Sequence, residues 1–239
     1  MENERWKRQL AIPQFGMEAQ QKLRESRVVV LGLGGVGGVA ALYLAAAGVG
    51  CMVLVDRDVV ELSNLNRQIL FSTADIGKPK AEIGAERLLA LDPGLKLEAV
   101  VKDIRETDLK ALLQGSHFVL DGFDKNAHRL AVNRACVRMG LPAVHGFAQD
   151  FSSELIAVLP GQSACLACVM DENFPEVKET PVLGVSVGVI GVAMAAAAIR
   201  CITGLGEVMA GCRLIYDLAF PELIKIPLER DPLCPVCGR

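Results

Sequence analysis

One run of residues limits the fold of this chain more than any other: Arg27-Val28-Val29-Val30-Leu31, followed without a break by Gly32-Leu33-Gly34-Gly35-Val36-Gly37-Gly38. A continuous aliphatic, mostly β-branched run reads as a strand buried on both faces. The glycines then fit G-x-G-x-x-G at Gly32, Gly34 and Gly37, ahead of a small-residue helix from Val39 to Ala47. The first glycine permits a tight turn, the second lets the backbone approach a phosphate, and the third lets helix and strand touch. The helix N-terminus offers free N–H groups to an anion. Cys51 to Val55 reads as a second buried strand ending in Asp56, where a carboxylate can accept from a ribose hydroxyl. A nucleotide site is the expectation, and this fingerprint alone favours NAD and a dehydrogenase.

The alternation continues. Lys80 to Leu91 reads as a helix stopped by Asp92-Pro93-Gly94, Lys96 to Val101 as a strand, Asp108 to Gln114 as a helix, His117 to Leu120 as a strand, Lys125 to Met139 as a helix and Pro142 to His145 as a strand. Strand and helix in turn predict an α/β fold, a Rossmann-like, mainly parallel sheet with helices on both faces. After about residue 150 the pattern changes to Glu154 to Leu159, Arg213 to Asp217 and Leu223 to Leu228, strands joined by turns that would extend the sheet in antiparallel fashion. A short helix from Glu18 to Ser26 precedes the first strand.

A chain of 239 residues with 51% hydrophobic and 22% charged residues has material for one packed domain and not for two large ones. Its 25 basic and 28 acidic residues give a formal charge of −3, which is no footprint for gripping nucleic acid. Val182 to Ile199 runs without a charge and reaches the length threshold for a membrane span. It is rich in glycine and alanine and lacks flanking aromatic and basic belts, so a buried helix at a subunit or domain contact is expected and no membrane is implied. The start, Met1-Glu2-Asn3-Glu4-Arg5, is no secretory signal, and the cytoplasm is the expected compartment.

Three further stretches carry chemistry. Ser63-Asn64-Leu65-Asn66-Arg67-Gln68 and Gly77-Lys78-Pro79-Lys80 place cations and amides just past the strand that ends in Asp56. A nicotinamide ring needs no such charges, whereas a triphosphate does. Asp121-Gly122-Phe123-Asp124 lies at the carboxyl end of a strand, where carboxylates can hold magnesium or cap the next helix. Cys165-x-x-Cys168 and Cys234-x-x-Cys237 supply four thiolates for a structural zinc with no position left open for water. Cys51, Cys136, Cys201 and Cys212 sit in apolar segments as buried thiols, and His117, His128 and His145 have no spacing that suggests a metal or a triad.

Taken in order, Arg5-x-x-Arg8-Gln9, the glycine loop, Asp56-x-Asp58, the two polar stretches, Asp121-x-x-Asp124 and the paired Cys-x-x-Cys motifs resemble the MoeB/ThiF/HesA family, relatives of the ubiquitin-activating enzymes. The resemblance runs from Arg5 to Cys237. It implies a single ATP-binding adenylation domain over residues 1–239: an N-terminal helical arm (1–26), a nucleotide-binding half (27–150) and a carrier-binding and zinc half (151–239). It also implies a homodimer that uses ATP and Mg2+ to adenylate the C-terminal glycine of a ubiquitin-like sulfur-carrier protein, releasing pyrophosphate. By the same resemblance Gly32, Gly34 and Gly35 hold the phosphates, Asp56 the ribose, Ser63, Asn64, Arg67 and Lys80 the triphosphate, and Asp124 the magnesium. Arg8 looks like an arginine finger that reaches the ATP of the other subunit, and Asp171 to Pro181 like a loop beneath which the carrier tail threads.

A carboxylate is already ionised at pH 7, so attack on the α-phosphorus requires no general base, only cancellation of charge as anion approaches anion. Two departures from the family stand out. Several relatives carry a cysteine after the threonine of that loop, where this chain has Thr180-Pro181, which points to simple adenylation without a thioester. Lys125 follows the magnesium aspartate where the family usually has asparagine. Other carboxylates, on a tRNA or a peptide, and a non-catalytic nucleotide-binding scaffold are the competing readings.

Overall fold

In a computed structural model describing residues 2–170 and 180–238, the aliphatic runs become strands of one eight-stranded sheet. They are β1 (Arg27–Leu31), β2 (Cys51–Val55), β3 (Lys96–Val100), β4 (Phe118–Asp121), β5 (Ala143–Gln149), β6 (Ser152–Val158), β7 (Cys212–Asp217) and β8 (Glu222–Pro227). Their order is β3-β2-β1-β4-β5-β6-β7-β8. Pairing is parallel from β3 to β5 and antiparallel from β5 to β8. The helices are α1 (Glu2–Arg5), α2 (Lys7–Leu10), α3 (Gly16–Glu25), α4 (Gly35–Ala47), α5 (Lys80–Leu91), α6 (Leu109–Leu113), α7 (Asn126–Met139) and α8 (Gly184–Thr203).

The period of two along β1 explains why its residues are apolar without alternation. Val28 and Val30 join Leu54, Leu120 and Val144 under α4, α5 and α8, whereas Val29 and Leu31 join Val53, Val55 and Val119 under α6 and α7. Both faces are covered, as expected for parallel strands. The chain leaves β1 in one direction along the sheet toward β2 and β3 and returns on its other side as β4, so the crevice beyond the carboxyl ends of β1 and β4 is the switch point where open α/β sheets take ligands.

The uncharged run becomes α8, which is long and apolar enough by composition to cross a membrane. Here it lies on the sheet, with Val187, Ile190, Met194, Ala195, Ala197 and Ala198 buried in the core. Two of its glycines serve close packing: a Cβ on Gly184 would fall 2.4 Å from Asn66 O, and one on Gly191 2.6 Å from the carbonyl oxygen of Val36 in α4.

Two local readings change. The strand expected to end at His145 continues to Gln149 and forms a hairpin with β6, in which Asp150 and Phe151 are the two-residue turn and Asp150 takes φ 52°. Nothing in Gly146-Phe147-Ala148-Gln149 alternates, which hid the extension. The N-terminal arm, beyond the expected helix, holds two further single-turn helices that end at the carbonyl termini of α4 and α5. Trp6 Nε1 donates to Ala46 O at 3.1 Å, Gln9 Nε2 and Gln20 Nε2 donate to Ala47 O, and Arg5 donates to Leu91 O. These side chains satisfy carbonyls that a helix C-terminus leaves unpaired.

The segment leading into α5 is held by Asp75, whose carboxylate accepts from Ser72 N, Ser72 Oγ and Arg87. Those bonds hold it at about 2, well below the usual carboxylate range. A depressed carboxylate stabilises the fold above its unfolded value near 4 and gives this up as the pH falls through the folded value. Asp75→Asn should therefore cost about 1–2 kcal/mol at pH 7. In urea titrations at several pH values, the gap between the two proteins should close from about pH 4 toward pH 2.

Candidate functional site

The switch-point crevice is built from glycines that touch their neighbours. A Cβ on Gly37 would lie 1.8 Å from Gly32 O, so α4 starts against the end of β1 at a distance only glycine allows. Gly32 takes φ +81°, and a Cβ there would meet Gly122 of the β4–α7 turn at 3.1 Å. Gly35 is pressed between Val187 of α8 and Arg67 O, at 2.6 and 3.0 Å from the built Cβ. Gly34 is different: a Cβ there would make ordinary contact with Gln68 Nε2 at 3.8 Å. Among the described residues no packing partner demands glycine at that position, and the first-turn N–H groups of α4 have no intrahelical acceptor.

Asp56, 7% exposed, is already in use. Its Oδ2 accepts from Leu33 N at 2.7 Å and its Oδ1 from Asp58 N at 2.8 Å, which fixes the glycine loop to the end of β2. Burial pushes its carboxyl above the ordinary value, against the pull of these donors and Lys80. Lys80, at the start of α5, is 5% exposed; its backbone N donates to Asp58 O at 2.9 Å and its Nζ lies 3.6 Å from Asp58 Oδ2. Arg67 lies folded back onto its own loop, donating to Ser63 O and Asn66 Oδ1. Asn64 is buried and its Oδ1 accepts from Glu61 N, while Ser63 is exposed beside Glu61. Gln68 Oε1, next to Gly34, is buried with no hydrogen-bond partner among the described residues.

The two aspartates after β4 separate completely. Asp124 is exposed, whereas Asp121 is 0% exposed and lies 2.7 Å from His145 Nδ1, also 0% exposed. Burial alone would raise the Asp121 carboxyl; His145, Arg129 and the N–H of Phe123 outweigh it and hold the group below its ordinary value. Asp121 is therefore closed to a metal ion, and neither aspartate caps α7, whose N-cap is Lys125 with no side-chain bond. Asp121 Oδ1 accepts from Phe123 N and so shapes the turn that presents Asp124. Arg129 completes the group: it donates to Gly146 O at 2.7 Å and lies over the Phe147 ring. His145 and Arg129 had no assignment in the sequence; the available signal was a histidine inside an apolar strand, while Arg129 is one polar residue among several on α7.

Glycine loop, Asp56, Arg67, Lys80 and Asp124 thus share one edge of the sheet. Arg8 does not join them. It is exposed on α2, and neighbouring Trp6 is fixed to the far end of α4, about 18 Å from the glycine loop for a 13-residue helix. On the other side of α7 the four cysteines meet: Cys165 and Cys234 sulfurs lie 3.7 Å apart, Cys168 and Cys237 3.4 Å, and all four within 4.8 Å. Sulfurs about 2.3 Å from a tetrahedral zinc are separated by about 3.8 Å, so the cluster is dimensioned for that ion. Burial raises the Cys165 and Cys168 thiols, while Cys237, against its own burial, is drawn down to about 7 by hydrogen bonds from its neighbours. Of the expected threading loop, residues 171–179 lie outside the described residues; its downstream end is tied by Asp150 N donating to Pro181 O.

The ThiF family model matches residues 6–236. The sulfur carrier protein ThiS adenylyltransferase of Escherichia coli K12 is 39% identical over 238 residues, 98% of this chain and 94% of that protein. The molybdopterin-synthase adenylyltransferase of the same strain is 35% identical over 240 residues, 98% of this chain and 96% of that protein. A crystal structure of E. coli MccB with ATP superposes with a TM-score of 0.83 at 26% identity, covering 92% of this chain and 68% of that one.

Removing His145 from beneath the site should take a hydrogen-bond partner from the buried Asp121 and leave it Phe123 N–H and the charge of Arg129. His145→Leu should cost about 3–5 kcal/mol in guanidinium unfolding. Adding Asp121→Asn to it should recover part of the loss, and a double variant no more stable than the single one would show that losing His145 leaves no charge cost at Asp121.

Proposed function

This chain belongs to the ThiF family and is an adenylyltransferase, and on that premise we propose that it adenylates the C-terminal glycine of a ubiquitin-like sulfur-carrier protein with ATP and Mg2+. The observation that carries the reading is the gathering of a glycine-lined helix N-terminus, a buried lysine, an arginine and an exposed carboxylate at the switch point. The donor set suits a nucleoside triphosphate: first-turn N–H groups of α4 for phosphate, Asp56 for ribose, Arg67 and Lys80 for the remaining charge, and Asp124 for magnesium. Bound magnesium would supply further neutralisation of the triphosphate at Asp124.

The carrier's terminal carboxylate then attacks the α-phosphorus and pyrophosphate leaves. Lys80 and Arg67 lower the repulsion between the two anions, which is the main barrier to such a step. Arg67 must leave Ser63 O and Asn66 Oδ1 to do so, so nucleotide binding exchanges loop contacts for phosphate contacts. The product is an acyl adenylate, without a catalytic-cysteine thioester, because Pro181 follows Thr180.

In this reading the chain is one adenylation domain, its arm at 1–26, its nucleotide half at 27–150 and its carrier and zinc half at 151–239. Zinc at Cys165, Cys168, Cys234 and Cys237 is structural, since four thiolates leave no open position. The protein acts as a homodimer in which Arg8 reaches the partner's nucleotide. The anchoring of Trp6 at the far end of α4 supports this, since it keeps Arg8 away from its own glycine loop.

Carrier-dependent pyrophosphate exchange tests the reading directly, and Asp124→Ala should abolish it. ATP, not NAD, should raise the melting temperature. Arg8→Ala should also lose turnover, yet equal mixing of Arg8→Ala and Asp124→Ala subunits should restore about a quarter of wild-type activity, because half the dimers are mixed and each has one intact site. No recovery after subunit exchange would count against Arg8 acting across the dimer.

A further inference from the structure

Asn133, in the middle of α7, is 0% exposed and carries a half-finished set of hydrogen bonds. Its Oδ1 accepts from Leu166 N at 3.0 Å, an N–H inside the first Cys-x-x-Cys turn. Its Nδ2 is buried with no hydrogen-bond partner among the described residues, and the side chain adjoins the Cys165 sulfur. An orphaned buried donor is costly, so the fold should contain an acceptor that completes it. A neutral thiol is a poor one. A metal-bound thiolate is a good one, and the groups around metal-bound side chains orient them and tune the ion.

Asn133 reaches the Cys165 turn from another element, α7.

We propose that Asn133 is a positioning residue for the four-cysteine metal centre, donating from Nδ2 to the Cys165 thiolate while its Oδ1 fixes the turn at Leu166. One amide then joins the metal knot to α7, the helix that begins two residues after Asp124. The proposal rests on the zinc reading and not on the identity of the adenylated substrate.

Asn133→Asp keeps size and the acceptor for Leu166 N, replaces the donor with a carboxylate oxygen and adds a negative charge beside the thiolates. It should release zinc to a competing chelator with affinity reduced about 10- to 100-fold. In the cobalt-substituted protein its sulfur-to-metal charge-transfer band should move to lower energy, because an unbonded thiolate is the more easily oxidised one. Should this variant fail to fold, wild-type protein loaded with NMR-active cadmium offers the same test: the Asn133 side-chain amide proton should show through-bond coupling to the metal. Wild-type affinity and spectrum in Asn133→Asp, or no coupling at that amide, would overturn the proposal while leaving the zinc centre standing. A wild-type chain that takes up neither zinc nor cobalt would overturn both.

Discussion

A space too small for a methyl group fixes the arrangement at the centre of this molecule. With 1.8 Å between Gly32 O and the place where a Gly37 Cβ would sit, strand β1 and helix α4 meet as backbone against backbone. Gly122 N donates to Leu31 O at 2.8 Å, and its own backbone lies against Gly32, so the turn after β4 is drawn to the same point. Because Leu33 N is held by Asp56, the end of β2 joins as well. Three strand ends and one helix start are thereby set relative to one another before any longer side chain is considered. A side chain in the gap would separate them all, since a close-packed interior has no slack to absorb it.

The helices that begin at the site are secured at their other ends. Arg5, Trp6, Gln9 and Gln20 use the carbonyls at the ends of α4 and α5, and Arg24 both stacks on Trp6 at 5.0 Å and pairs with Asp92 after α5. The arm therefore shares two helices with the nucleotide crevice while standing a helix length away from it. That separation lets the helix N-termini stay open to a ligand while the C-termini are saturated.

What the sequence made readable was local in the chain. The valine run, the glycine string and Asp56 lie within about thirty residues and follow a known order, and the cysteine pairs announce themselves by spacing. The antiparallel extension was legible as a change of pattern, although the continuity from β5 into β6 was not, because Asp150 makes the turn with a positive φ and without glycine. The polar group beneath the turn was out of reach for another reason. Asp121 and His145 are 24 positions apart, on neighbouring strands, and only the register that sets Asp121 beside His145 brings them together. Asp121 and Asp124 looked equivalent as letters, yet one is buried in the core and the other is exposed. Asn133 likewise has nothing in its surroundings on α7 to mark it; its partner is Leu166, 33 positions on.

The cysteine knot joins positions 69 residues apart, and between them lie α8 and the last two strands. Once cross-linked by an ion, this part of the chain is a closed ring. In the chain-entropy view, a ring of that size withholds roughly 4 kcal/mol of freedom from the unfolded molecule. The final strand depends on that ring most. Strand β8 is exposed along its whole length, has one bonded neighbour and carries Leu223, Ile224 and Ile226 at the surface. An unguarded strand of this kind invites pairing with other chains. Here Pro227 removes one N–H from it and Glu222 and Lys225 place charge along it, and Cys234 and Cys237 of the cysteine cluster follow it in the chain. An ion held by that cluster would therefore also keep the last strand of the sheet in register.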